Sequence, residues 1–187
     1  MNSIYIVAIV LLLICVSMAY KNSKIETKSN IDGRIYTVKN NFLAQESADL
    51  LARMNGNLIM LIDYIKKNHP NVKYYNNLSK YNPDSIHENI LNFDTTYTVD
   101  KGKMILFCNG PRDGKSSELY DINTMMYVAV HELAHVVSEN IGHTVEFKLN
   151  FADLLKKAIE IGVYEYIDYS KKPIDYCGIP LSVNILG

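Results

Sequence analysis

The stretch His131–His143 reads HELAHVVSENIGH and holds three of the five histidines in the chain. It follows INTMMYVAV, residues 122–130, which is apolar almost all round. A helix with no polar face belongs at the centre of a fold, and Asp121 stands where its N-cap would be. On such a helix His131 and His135 are offset by about 40° around the axis and about 6 Å along it, so both imidazoles can meet one ion. Glu132 points to the flank of the same site, where its carboxylate can take a proton from a water at the ion without ligating it. The competing reading is a pair of satisfied core histidines. From the His and Glu frequencies of this chain, a chance His-Glu-x-x-His arises on the order of once in a hundred such sequences. A buried helix carrying His131, Glu132 and His135 also needs something to satisfy them.

A catalytic zinc takes three protein ligands and leaves a fourth position open, so a third ligand is required. If the helix continued, His143 would lie about 12 Å further along the axis than His135, out of reach of a shared ion. Asn140 and Gly142 supply the expected stop, because glycine adopts the left-handed conformation at little cost and lets the chain fold back. A new helix then opens at TVEF, capped by Thr144 with Glu146 in its first turn, and Phe147, Phe151, Leu154, Ala158 and Ile161 form its apolar stripe. This places His143 at a loop-to-helix junction beside the site. An ordinary turn histidine is the alternative there, and Glu160 is an alternative third ligand from the following helix. Ser138 and Ile141 stand where the metzincin pattern needs Gly and His, which excludes that class.

Around this centre, RIYTV (34–38) alternates like a strand. Apolar positions from Ala44 to Ile65 then recur at helical spacing up to a stop at Asn68-His69-Pro70. Gly56 weakens that helix. Residues 71–94 read as loop with one helical turn. TTYTVDKGKMILFC (95–108) reads as two strands joined at Asp100-Lys101-Gly102, and NGPRDGKSSE (109–118) as another turn region. The apolar content of the C-terminal stretch implies that it packs back on the domain. Tyr164, Tyr166, Tyr169 and Tyr176 are the hydroxyls it offers to an oxyanion, and the sequence selects none of them. Glu139, Glu146 and Asp153 are candidate carboxylate partners for the histidines.

The 187 residues suit one domain with an appendage. A formal net charge of -1 gives no basic footprint, so no nucleic-acid partner is expected. Ile4–Tyr20 runs without a charge, which as a helix is about 25 Å long. The basic side chains Lys21, Lys24 and Lys28 all follow it. The flanks favour a single-pass transmembrane anchor over residues 1–20, with a linker over 21–33 and the folded domain over 34–187 on the cytoplasmic side. The alternative is a signal peptide cut after Ala19, giving a secreted protein. Cys15, Cys108 and Cys177 are too few for a disulfide framework. In a cytosolic domain Cys108 and Cys177 should both be free thiols.

HELAH, followed by GHTVEF and an apolar helix, resembles the zincin domains of the WLM and SprT-like group, whose pattern is His-Glu-x-x-His, a gap, then Gly-His-x-x-x-Phe. From TTYTVDKGKMILFC to IDYSKKPIDYCGIPL the chain is similar to WLM-type metallopeptidases of large DNA viruses, over about residues 34–185. The resemblance implies a small α+β fold with a short antiparallel sheet over the active-site helix. It also implies one zinc on His131, His135 and His143, with Glu132 as catalytic acid/base. The expected function is zinc-dependent hydrolysis of a protein or peptide substrate near a membrane. The alternative is a non-enzymatic membrane or virion protein in which zinc stabilises the fold. A carboxylate that does not ligate favours the enzyme, because structural zinc sites usually close with four protein ligands.

Overall fold

A computed structural model describes residues 3–91, 95–111 and 118–187. Helix α1 (Ser3–Asn22) leads into an antiparallel hairpin of β1 (Lys24–Lys28) and β2 (Ile35–Lys39), with Ile25 opposite Val38. Helix α2 (Ala44–Asn68) follows, then two 3-10 turns at Tyr75–Lys80 and Pro83–Ser85 and strand β3 (Ile86–Glu88). Next come β4 (Tyr97–Val99) and β5 (Met104–Phe107), helices α3 (Ile122–Val137) and α4 (Val145–Glu160), and a terminal hairpin of β6 (Ile174–Tyr176) and β7 (Ile179–Leu181).

The arrangement is compact and α+β. Helix α3 packs between α2 and α4, and its side chains Met125, Val130, Leu133 and Val137 are completely buried. Helix α2 presents Leu51, Leu58, Leu61 and Ile65 to the same core, α4 presents Leu154 and Ala158, and β5 presents Ile105 and Phe107. Apolar residues at three- and four-residue spacing therefore build the helical layers, while the two-residue alternation of β5 turns Ile105 and Phe107 inward. Gly56 lies inside α2 with open space around its α-carbon. Asp121 caps α3 by accepting from the Thr124 amide, and Thr144 caps α4 by accepting from the Phe147 amide, so both helices start where their cap residues set them.

The central sheet has the order β3-β5-β4 and is mixed, with β3 parallel to β5 and β4 antiparallel to it. The sequence signalled only the antiparallel pair, because β3 is three residues long and follows a turn. The β4–β5 connection carries positive φ at Asp100 (46°), Lys101 (56°) and Gly102 (99°). A Cβ at Gly102 would meet Val136 at 3.0 Å, so glycine there serves both the turn and a close approach to α3.

Three expectations are corrected. Among the described residues no helix is long and apolar enough to cross a membrane, which overturns the transmembrane anchor over residues 1–20 and the single-pass placement built on it. The charge-free run Ile4–Tyr20 is about 25 Å long as a helix, at the short end of what a hydrocarbon core requires. Second, Cys108 and Cys177 are joined in a disulfide across 69 residues of chain. They are not the free thiols expected of a domain facing the cytosol, since such cross-links persist in oxidising surroundings. Third, the stretch 21–33, expected as an aperiodic linker, contains β1, whose backbone pairs with β2 from Lys24 to Lys28. Its polar side chains are mostly exposed on a two-stranded ribbon, which removes the alternation by which a strand is read. Residues 112–117 of the expected turn region and 92–94 of the expected loop lie outside the described residues.

Candidate metal centre

Helix α3 places His131 and His135 one turn apart on the same face, and both are half-buried. The helix ends at Val137, with Ser138 as C-cap in extended conformation. The chain then turns back through Gly142, at φ 82°, and brings His143 over the pair. Nε2 of His143 lies 3.1 Å from Nε2 of His131 and 3.2 Å from Nε2 of His135. Two ligands on one tetrahedral ion, each about 2.05 Å from it, stand about 3.3 Å apart. The ligand atoms of the three histidines all lie within 4.8 Å of one another, an arrangement that could hold a metal ion.

The electrostatics suit that use. Burial, aided by His135 and His143, pulls His131 down to about 3. Burial, aided by His143 and Lys101, pulls His135 down to about 4. Both imidazoles are therefore neutral at physiological pH, which is the form a metal takes as ligand. Phe147, on the first turn of α4, stacks on His135 with centroids 4.2 Å apart and meets His131 and His143 at 4.9 and 4.8 Å. Phe151 meets the His131 ring edge-on at 5.1 Å. The three rings thus rest on an aromatic floor supplied by α4.

The loop carrying His143 is held from two sides. The Glu146 carboxylate accepts from the Glu139 amide at 2.7 Å, the Asn140 amide at 3.2 Å and Asn140 Nδ2 at 2.7 Å. From the β4–β5 turn, Lys101 Nζ donates to the carbonyls of Ser138 and Asn140, both at 2.8 Å. Of the carboxylates considered as partners for the histidines, Glu146 thus anchors the loop, while Asp153 accepts from Tyr74 and Lys157 on the far side of α4. Glu160, the alternative third ligand, accepts from the Tyr64 hydroxyl and lies outside the cluster.

Glu132 is 4% exposed. Its Oε2 accepts a 2.6 Å hydrogen bond from the Thr98 hydroxyl of β4. Burial raises its carboxyl to about 7, against the lowering effect of Thr98, so it exchanges a proton near neutrality. Neither Thr98 nor Lys101 carries a local signal along the chain, because both act across a fold that brings β4 onto α3.

Glu132 and the three histidines border a cavity of about 690 Å³. Thr98 of β4 and Thr96 just before that strand form one side, α3 the floor with Tyr127 and Val128, and the terminal hairpin a wall with Ile179 and Leu181. Of the four tyrosines considered, Tyr176 lines this cavity, but its hydroxyl is already paired with Thr96 Oγ1 at 2.6 Å and the Cys108 carbonyl at 2.8 Å. Tyr164 and Tyr169 are buried, and Tyr166 is exposed.

No family model matches the chain, and no solved structure matches it. It is 34% identical over 193 aligned positions to Uncharacterized protein R325 of Acanthamoeba polyphaga mimivirus, covering 99% of this chain and 96% of that protein. It is 42% identical over 86 positions to Uncharacterized protein 042R of Invertebrate iridescent virus 3, covering 45% of this chain and half of that protein. With Uncharacterized protein 136R of Invertebrate iridescent virus 6 the identity is 34% over 70 positions, 37% of this chain and 39% of the other. The chain belongs to a family of uncharacterised proteins of large DNA viruses that includes mimivirus R325.

Proposed function

We propose that the protein is a zinc-dependent peptidase of WLM-like type, with His131, His135 and His143 as ligands and Glu132 as the proton carrier. The observation that carries the reading is Glu132: a buried carboxylate beside a three-histidine cluster, facing a cavity, held by Thr98 and left out of the cluster itself. A site that serves stability alone has no use for such a group.

Three imidazoles suit zinc, and a three-ligand set leaves a position open. When bound, zinc supplies a Lewis acid that polarises the scissile carbonyl and brings the pKa of a water to about 7. The protein supplies the rest. Glu132 takes the proton of the attacking water and returns it to the leaving nitrogen, a role suited to a carboxyl poised near 7. Thr98 keeps that carboxylate in one orientation. Strand β4 has β5 on one side and no strand on the other among the described residues, so an extended peptide can add to its outer edge with its backbone hydrogen-bonded in register. That placement lays the peptide along the cavity, past the histidines.

The test is cleavage of an unfolded protein substrate by the zinc-loaded full chain beside Glu132→Gln. Expected is cleavage by the wild type and a loss of about 10²–10⁴-fold in the variant, with zinc retained by both. Equal activity in the two proteins, or zinc-loaded wild type that cleaves nothing, would overturn the reading.

A further inference from the structure

The terminal hairpin is the least expected border of the cavity, because it comes from the far end of the chain. Strands β6 and β7 pair from Ile174–Leu181 to Tyr176–Ile179, and the turn between them carries Cys177 at φ 53° and Gly178 at φ 85°. The hairpin is fixed in place at several points. Cys177 is disulfide-bonded to Cys108 at the end of β5, and its amide donates to the Tyr120 hydroxyl at 2.8 Å. Tyr176 is buried, and its hydroxyl bridges Thr96, just before β4, to the Cys108 carbonyl.

This anchoring presents Ile179 and Leu181 to the cavity that Tyr127 and Val128 also line. Ile179 keeps 51% of its surface exposed, an apolar side chain held at the cavity by a cross-linked support. Apart from Glu132 and the histidines, the charged groups bordering the cavity among the described residues are Asp100 and Lys101. Both lie on the β4–β5 turn, and the Lys101 ammonium is committed to the His143 loop. The hairpin side is therefore apolar, while β4 in the same cavity offers backbone pairing. Those two demands together describe one occupant: an extended peptide with a large apolar side chain.

We propose that the β6–β7 hairpin is the specificity wall of the cleft, and that Ile179 and Leu181 select peptides with a bulky apolar residue beside the cleaved bond. The proposal rests on the peptidase reading for its bond cleavage and on the cavity for its selectivity. Leucine, isoleucine, phenylalanine and methionine are the side chains that fit; aspartate, lysine and serine are disfavoured, because their polar groups would lose water without gaining a partner.

The test has two parts. Zinc-loaded full-length protein is incubated with unfolded casein and the cut sites are mapped by mass spectrometry. Leucine-containing and serine-containing versions of one fluorescein-labelled heptapeptide are also titrated against it, read by anisotropy. Expected are cut sites enriched in large apolar residues at one flanking position, and binding of the leucine peptide tighter by about tenfold or more. Ile179→Asp, which puts a charge in place of the apolar wall at a half-exposed position, should abolish both preferences. Cut sites without apolar enrichment, or equal binding of the two peptides, would overturn the proposal. Leucine-selective binding without any cleavage would support the apolar wall and sink the peptidase reading instead.

Discussion

The Thr98 hydroxyl donates a 2.6 Å hydrogen bond to Oε2 of Glu132, tying strand β4 to the buried carboxylate beside the histidine cluster. Thr98→Val keeps the shape and removes the donor. The expected result is a fall in kcat of about tenfold with zinc content unchanged, since the bond orients Glu132 without touching the ligands. Zinc analysis beside initial rates on one peptide checks it. A loss of zinc in this variant would show that Thr98 supports the fold and not the carboxylate.

His143 reaches the cluster only because residues 138–142 are held by Lys101 from one side and Glu146 from the other. Lys101→Ala should weaken zinc binding by about tenfold, and Glu146→Gln should do the same, measured by competition with a chromophoric chelator. Lys101→Arg should restore most of the affinity, because a guanidinium can still donate to both carbonyls. Unchanged affinity in both variants would mean that the loop holds its shape without them.

The Cys108–Cys177 bond closes a span of 69 residues. On the chain-entropy view it should contribute about 4 kcal/mol, read as the shift in urea unfolding free energy on adding a dithiol reductant. The double variant Cys108→Ser, Cys177→Ser should show the same loss and no response to reductant. A reductant-insensitive wild type would contradict the pairing.

Asp121 is a cap whose removal should cost about 1 kcal/mol as Asp121→Ala. Burial pushes its carboxyl up, but hydrogen bonds from the hydroxyl and amide of Thr124 outweigh this and hold it below the usual range. A depressed folded pKa gives stability that is complete above the unfolded value of about 3.9 and is lost as pH falls through the folded one. Wild type and Asp121→Ala should therefore differ in thermal midpoint at pH 7 and converge toward pH 2. A gap that stays constant over that range would rule out the carboxylate as its source.

The helical layers and the histidine constellation were legible because both rest on local spacing. The four-residue spacing of His131 and His135 needs only helix geometry, and the break before His143 needs only a glycine and a new cap. What escaped depends on distant chain segments. Thr98 and Lys101 matter through the docking of β4 on α3, and β3 is too short to show alternation. Cys108 and Cys177 pair because the terminal hairpin returns to the end of β5, which no spacing along the chain reveals. The N-terminal run misled for the opposite reason: its local composition suits a membrane, but the charge-free stretch is only at the short end of a span.

The most direct measurement is the zinc content of the full chain, wild type beside His143→Ala, after dialysis against metal-free buffer. About one zinc per wild-type chain, held much more weakly by the variant, is the expected result. A wild type that retains no zinc would reduce HELAHVVSENIGH to a helix and a turn that happen to carry histidines.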